Sequence, residues 1–202
     1  MRNASNRRIY RAWAPIYNAV FGRAFRDARR RTIEALELRA GESLLIPGVG
    51  TGLDLPMIPR GVHVVGLDLS REMLAQTSRQ SLGPQVCLIE ADAQHLPFAT
   101  ASFDAVLLNL VLSVVPDAGI AFGEAWRTLR PGGRMVLFDK FRPEDQSLTA
   151  ARRMIGRIAE ALGTDPNRRL DDIIRGAAQL TVARDSPALL RGTYRLIRLD
   201  KA

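Results

Sequence analysis

The stretch "LLIPGVGTGLDLP", residues 44 to 56, constrains this chain more than any other. Leu44, Leu45 and Ile46 form an apolar run of strand type, and Gly48, Gly50 and Gly52 follow it on alternate positions. A turn with almost no side chains at the end of a buried strand lets another molecule approach the backbone closely. From residue 43 onward, apolar runs and helical patterns alternate, which is the pattern of an α/β protein with a mostly parallel sheet. The runs predict strands over 43–47, 62–67, 86–90, 103–109 and 133–138. Helices are predicted over 70–81, capped by Ser70, and 117–129, opened by Asp117 and stopped by "LRPGG". The tail predicts helices over 146–162 and 168–176. Two strand-like runs follow, "AQLTVARD" and "GTYRLIRL", separated by "SPALLR" in a closing antiparallel hairpin.

The glycine turn is compared with known nucleotide loops by its neighbours. A P-loop needs Gly-Lys-Ser/Thr, and the first lysine of this chain is Lys140. The dinucleotide pattern G-x-G-x-x-G places its third glycine at position 53, which is Leu53, so that reading is weakened. Asp68 lies 20 residues after Gly48, at the end of the second strand, where a carboxylate accepts from both hydroxyls of a ribose. An adenosine-type ligand is expected.

Four segments, in order, carry a resemblance: "LLIPGVGTG", "VVGLDLSREML", "IEADAQHLPFATASFDAVLLN" and "LRPGGRMVLFD". Together they resemble class I S-adenosylmethionine-dependent methyltransferases over about residues 40 to 140. The resemblance implies a Rossmann-like, seven-stranded, mostly parallel sheet with helices on both faces and a C-terminal antiparallel hairpin. It also implies S-adenosylmethionine as cofactor, with S-adenosylhomocysteine as product. Carried over by position, the loop of Gly48, Gly50, Thr51 and Gly52 would wrap the methionine part, and Asp68 would hold the ribose. Leu69 and Met73 would pack near the adenine, Asp92 and Ala93 would meet its amino group, and Asn109 would face the reactive methyl. Tyr10, Trp13 and Tyr17 would line the cofactor lid or the substrate mouth. One position departs from the family. An Asp or Glu commonly stands two residues before the first glycine, and here that residue is Ile46, followed by Pro47. Either another group takes over its contact, or the cofactor sits differently, or the site is degenerate.

Methyl transfer from a sulfonium is an in-line displacement in which the protein supplies position and a dry pocket. Tyr17, Asn109 and His95 are the candidate catalytic residues, with Tyr10 and Asp139 as further groups able to assist a proton transfer. No metal is expected.

Charge speaks to the acceptor. Residues 1 to 31 hold nine arginines against Asp27, whereas the remainder is balanced, so the net charge of +8 belongs to one end. A basic end beside a neutral body suits an anionic partner, and it suits equally well an arginine-rich face turned to solvent. Ile9, Trp13, Ile16, Tyr17, Val20, Phe21 and Phe25 fall near one helical face; such an apolar stripe is usually core, and with arginines on its flanks it also suits a membrane interface. The division expected is a helical preface over 1–39 and a cofactor-binding domain over 40–202. The lead-in "YRAWAPIYNAVFGRAF" is similar to that of ubiquinone/menaquinone C-methyltransferases and of soluble bacterial phospholipid N-methyltransferases. This resemblance implies a lipid head group of the phosphatidylethanolamine type, or a quinone precursor, methylated at an anionic membrane surface reached through residues 1–31. The alternatives are a methyltransferase of a soluble small molecule and a non-catalytic adenosyl-ligand-binding protein. Methyltransferases of nucleic-acid base amino groups generally end the fourth strand with Asn/Asp-Pro-Pro-aromatic, so by this resemblance "NLVL" disfavours DNA as substrate, and RNA is disfavoured for want of an accessory motif. A cytoplasmic protein, peripheral at the inner membrane face, is the expectation. Cys87, the single cysteine, reads as a buried structural thiol.

Overall fold

The computed structural model describes residues 25–77, 85–142 and 164–202. The N-terminal aromatic stripe up to Phe21 and the helix expected over 146–162 lie outside them. Seven strands form one sheet: β1 (Ser43–Pro47), β2 (His63–Asp68), β3 (Val86–Glu90), β4 (Phe103–Asn109), β5 (Leu129–Lys140), β6 (Leu180–Leu189) and β7 (Tyr194–Lys201). Their spatial order is β3-β2-β1-β4-β5-β7-β6. Neighbours from β3 to β5 are parallel, and β7 is antiparallel to both β5 and β6. This is the sheet that the resemblance implies.

Alternation along the central strands separates two apolar layers. On one face Leu45, Val106, Leu108 and Leu137 pack with Phe122 and Trp126 of the helix α3 (Ala118–Thr128) and with Leu170 and Ile173 of the short helix α4 (Leu170–Ile174). On the other, Leu44, Ile46, Ala105, Leu107 and Val136 pack with Ile33 and Leu36 of α1 (Arg26–Leu36). Strands covered on both faces read as continuous apolar runs, which is why β1 and β4 were legible. Between β2 and β3 lies α2 (Arg71–Thr77), entered through Ser70, whose Oγ accepts from Met73 N at 3.3 Å. Asp117 caps α3 by accepting from Ile120 N at 3.0 Å. At the far end of α1, Arg134 donates to the carbonyl oxygens of Leu36 and Glu37 and holds Glu42 through both Nη atoms. Those bonds satisfy the last orphan carbonyls of the helix and fasten it to β5.

Three expectations are corrected. The helix before β5 ends at Thr128, and the strand begins at once with Leu129 paired to Phe103. Pro131 and Gly132 then form an irregularity before Arg134 pairs with Ala105. A residue without an N–H is accommodated in a bulge, so "LRPGG" does not delay the strand. "SPAL" belongs to β6 itself and the turn is Leu190–Gly192, because an edge strand tolerates Pro187 where a central one does not. Cys87 is exposed, since β3 is the other edge of the sheet and has only β2 as neighbour. Among the described residues, no helix is long and apolar enough to cross a membrane.

Candidate functional site

The strand order reverses between β1 and β4, and such a switch point opens a crevice at the carboxyl ends of the strands. The glycine turn closes one side of it. Gly48 N and Val49 N donate to Leu67 O at 2.8 and 2.9 Å, so the turn is pinned across the end of β2. Gly48 has φ +72°, and a Cβ there would stand 2.8 Å from Val111 Cγ2. Any residue but glycine is therefore refused twice, by backbone and by packing. At Gly50, φ +59°, a Cβ would meet nothing nearer than Gly48 O at 3.9 Å, because that side faces the cleft.

Asp68 ties the turn to the next helix. Its Oδ2 accepts from Gly50 N at 3.0 Å and its Oδ1 from Ser70 N at 2.8 Å. Burial pushes its carboxyl above the usual aspartate range, against the pull of the backbone N–H groups of Ser70, Gly50 and Leu69. From α2, Thr77 Oγ1 donates to Gly50 O at 2.7 Å and fixes the other face of the turn.

The cleft measures about 920 Å³, its open mouth included. Gly48, Gly50, Thr51, Asp68 and Leu69 line it on the turn side. Met73, Asp92, Ala93 and Asn109 line it further round, so nine of the residues singled out in the sequence converge here. Gly52 stands behind the turn, where a Cβ would strike Thr77 and Leu55. His95 is outside the lining, its side chain 81% exposed with Nδ1 3.9 Å from Asp92 Oδ2. Tyr10 and Tyr17 fall outside the described residues.

A buried polar cluster at the end of β4 has no counterpart in the sequence reading. Asn109, 5% exposed, donates from Nδ2 to Asp54 Oδ1 at 3.0 Å and to Thr32 Oγ1 at 3.2 Å. Asp54 Oδ2 in turn meets Arg29 Nη1 at 2.8 Å, with both side chains buried. Asn109 Oδ1 is buried and accepts from no described group. Arg29 and Asn109 line the cleft, and Asp54 sits behind them. The next residue, Leu110, has φ +59°, a left-handed conformation that costs a residue with a Cβ about 1–2 kcal/mol.

The opposite wall is the loop after β4. Val111, Val114, Val115 and Pro116 present apolar side chains to the cleft. Arg168 holds this wall from behind by donating to the carbonyl oxygens of Leu112, Val115 and Pro116. Asp139, wholly buried at the end of β5, accepts from Ser113 N at 2.9 Å and from Lys140 N at 2.8 Å. Burial pushes its carboxyl up, and its bonds tie the loop of this wall to the end of β5.

Comparison with known proteins agrees with this architecture. Residues 45–137 match a family model described as a methyltransferase domain. The chain is 32% identical over 198 residues to a phosphatidylethanolamine N-methyltransferase of Cereibacter sphaeroides, covering 96% of both chains. A demethylmenaquinone methyltransferase of Beutenbergia cavernae is 40% identical over 110 residues, 54% of this chain and 45% of that one. Among solved structures, the geranyl diphosphate C-methyltransferase of Streptomyces coelicolor, crystallised with S-adenosyl-L-homocysteine, superposes with a TM-score of 0.72 at 19% identity, over 89% of this chain and 80% of that one. With full-length similarity, the seven-stranded sheet and the glycine turn in agreement, the chain belongs to the class I S-adenosylmethionine-dependent methyltransferases.

Proposed function

We propose that this enzyme methylates the amine of a phosphatidylethanolamine-type head group at a membrane surface. The observation that carries the reading is where the similarities reach. The Cereibacter relative matches 96% of the chain, whereas the Beutenbergia demethylmenaquinone relative matches 54%. A match that runs along almost the whole chain takes in more of the acceptor side than one that covers about half of it, which favours the acceptor of the Cereibacter relative. Apart from the buried Arg29, the eight arginines within residues 1–31 supply attraction to anionic lipid, worth about 1 kcal/mol for each cationic side chain near the surface.

The residues of the cleft fit S-adenosylmethionine. Gly48 and Gly50 leave bare backbone beside the cavity, Asp68 offers carboxylate oxygens for ribose hydroxyls, and Leu69 and Met73 give an apolar slot for the adenine, with Asp92 and Ala93 at its amino edge. When bound, the cofactor supplies an electrophilic methyl on sulfonium. The chain's own work is positional: the glycine turn and Asp68 hold the donor, and the Val111–Pro116 wall keeps water from the reacting pair. Removal of the acceptor's proton falls to Tyr17 or to His95, whose exposed ring stands beside the cleft residue Asp92.

Methyl-labelled cofactor and mixed vesicles of phosphatidylethanolamine and phosphatidylglycerol test the reading. Label is expected in monomethylated phosphatidylethanolamine. Label absent from that lipid but present in added demethylmenaquinone would overturn it in favour of the quinone acceptor. Vesicle flotation tests the surface part: replacing Arg2, Arg7, Arg8 and Arg11 by Gln is expected to weaken binding to anionic vesicles at low salt, and unchanged flotation refutes it.

A further inference from the structure

Position 46, where the family resemblance implies a carboxylate, holds Ile46, wholly buried in the layer that includes Ile33 and Leu36 of α1. No charged group can replace it on that strand without entering an apolar layer. One helical turn before Ile33, on the same face of α1, stands Arg29. This arginine is 5% exposed and lines the cleft beside Gly48, Gly50 and Asn109. Asp54 engages its Nη1 at 2.8 Å and Asn109 Nδ2 at 3.0 Å, so one carboxylate orients both side chains. With Nδ2 committed to Asp54 and Thr32, the amide of Asn109 has a defined orientation, and the buried Oδ1 is the atom left to accept.

We propose that Arg29 and Asn109 receive the amino-acid end of the cofactor, the guanidinium taking the α-carboxylate and Asn109 Oδ1 the α-ammonium, with Asp54 as the positioning residue behind both. The charges balance: the Arg29–Asp54 pair is neutral, and so is the zwitterion it would receive. A guanidinium carries five donors in a planar fork, which lets it serve Asp54 and a second carboxylate at once. An amide oxygen held beside a carboxylate suits an ammonium, because the charge of Asp54 lies one bond network behind it. A buried acceptor without a partner is costly, and a donor arriving with the ligand removes that cost. The clamp thus moves the missing acidic contact from β1 to the junction of α1 and β4. It concerns the methyl donor alone and stands whichever acceptor is used.

Calorimetry at pH 7.5 with the full chain tests it by ligand truncation. S-adenosylhomocysteine is expected to bind about 10- to 150-fold more tightly than its decarboxylated analogue, the range for one hydrogen bond to a charged group. The deaminated analogue is expected to lose affinity as well, since Oδ1 then keeps no donor. Arg29→Gln is expected to erase the difference between S-adenosylhomocysteine and the decarboxylated analogue while leaving 5′-methylthioadenosine, which has no amino-acid end, within about twofold of its wild-type affinity. Asp54→Asn is expected to reduce that difference in part. Equal wild-type affinity for S-adenosylhomocysteine and the decarboxylated analogue overturns the proposal without any variant. So does an Arg29→Gln protein that weakens 5′-methylthioadenosine as much as S-adenosylhomocysteine, since the arginine would then shape the whole cleft.

Discussion

Breaking the Arg29–Asp54 pair should destabilise the protein by an amount its burial sets. The side chains are 6% and 3% exposed, so neither charge can turn to bulk water when its partner is lost. Stranding one charge of a buried pair costs about 3–5 kcal/mol. Asp54→Asn keeps shape and the bond from Asn109, and it takes from Arg29 its buried carboxylate, though Arg29 borders the cleft and gains some water there; about 2–3 kcal/mol is expected. Arg29→Met strands Asp54, which lies behind the cleft with Asn109 as a neutral donor; about 3–4 kcal/mol is expected. The double variant carries no stranded charge, and its loss should fall short of the sum by about 1.5 kcal/mol or more. Urea denaturation followed by far-ultraviolet circular dichroism and by tryptophan fluorescence reads all four proteins, Trp126 being 6% exposed and stacked on Phe122 and Trp13 contributing as well. With a slope of about 2 kcal/mol per molar, each single variant moves the midpoint down by about 1–2 M. Additivity within about 0.5 kcal/mol would refute the reasoning, because it would mean the two charges do not sense each other and the site is wet.

Gly48→Ala must place a methyl 2.8 Å from Val111 Cγ2 at φ +72°, so a loss of about 2–4 kcal/mol is expected, of which Val111→Ala recovers the packing share and leaves the backbone share. Thermal denaturation of the single and double variants measures both, and an unchanged midpoint would sink the steric argument. Asp68 has its carboxyl raised by burial, and ribose hydroxyls favour its charged form, so affinity for S-adenosylhomocysteine should decline on acidification from a higher pH than an exposed aspartate would give. Asp68→Asn should flatten that decline in calorimetric titrations across pH, and an identical pH profile would remove Asp68 from the contact. Glu42 has its carboxyl lowered, first by the hydrogen bonds of Arg134, so its contribution is present above the unfolded-state value and is lost as pH falls through the lower folded value. Glu42→Gln is expected to cost about 1–2 kcal/mol at neutral pH and nothing once both states are protonated, as urea midpoints over a pH series would show.

What the sequence disclosed, it disclosed through local chain chemistry. Strands covered on both faces are continuous apolar runs, so the bounds of β1 and β4 are those expected, and the short apolar run of the edge strand β3 is bounded as expected too. The glycine turn, Asp68 and Asp92 act through backbone geometry within a few residues of themselves, and they meet in the cleft as read. The edges were less legible, for Cys87 and Pro187 take their surroundings from having one neighbour strand instead of two. An apolar neighbourhood in sequence does not distinguish an edge strand from a central one.

Arg29 marks the limit of local reading, and it also shows what a finer reading would need. Counted with eight other arginines, it looks like part of a surface charge. Its neighbours Arg26 and Arg30 are indeed exposed. Position 29 nonetheless falls on the period of Phe25, Ala28, Thr32, Ile33 and Leu36, the face that α1 buries. An arginine on such a period needs a carboxylate that the helix does not supply, and the one that answers, Asp54, lies 25 residues on, past the glycine turn. That pairing exists because α1 docks across β4, β5 and β7, over an apolar layer in which Ile46 lies with Ile33 and Leu36. The buried arginine therefore reaches the cleft from a helix held on the β4–β5 side of the sheet, and position 46 meets that helix as one apolar member of the layer beneath it rather than as a charge beside the cleft.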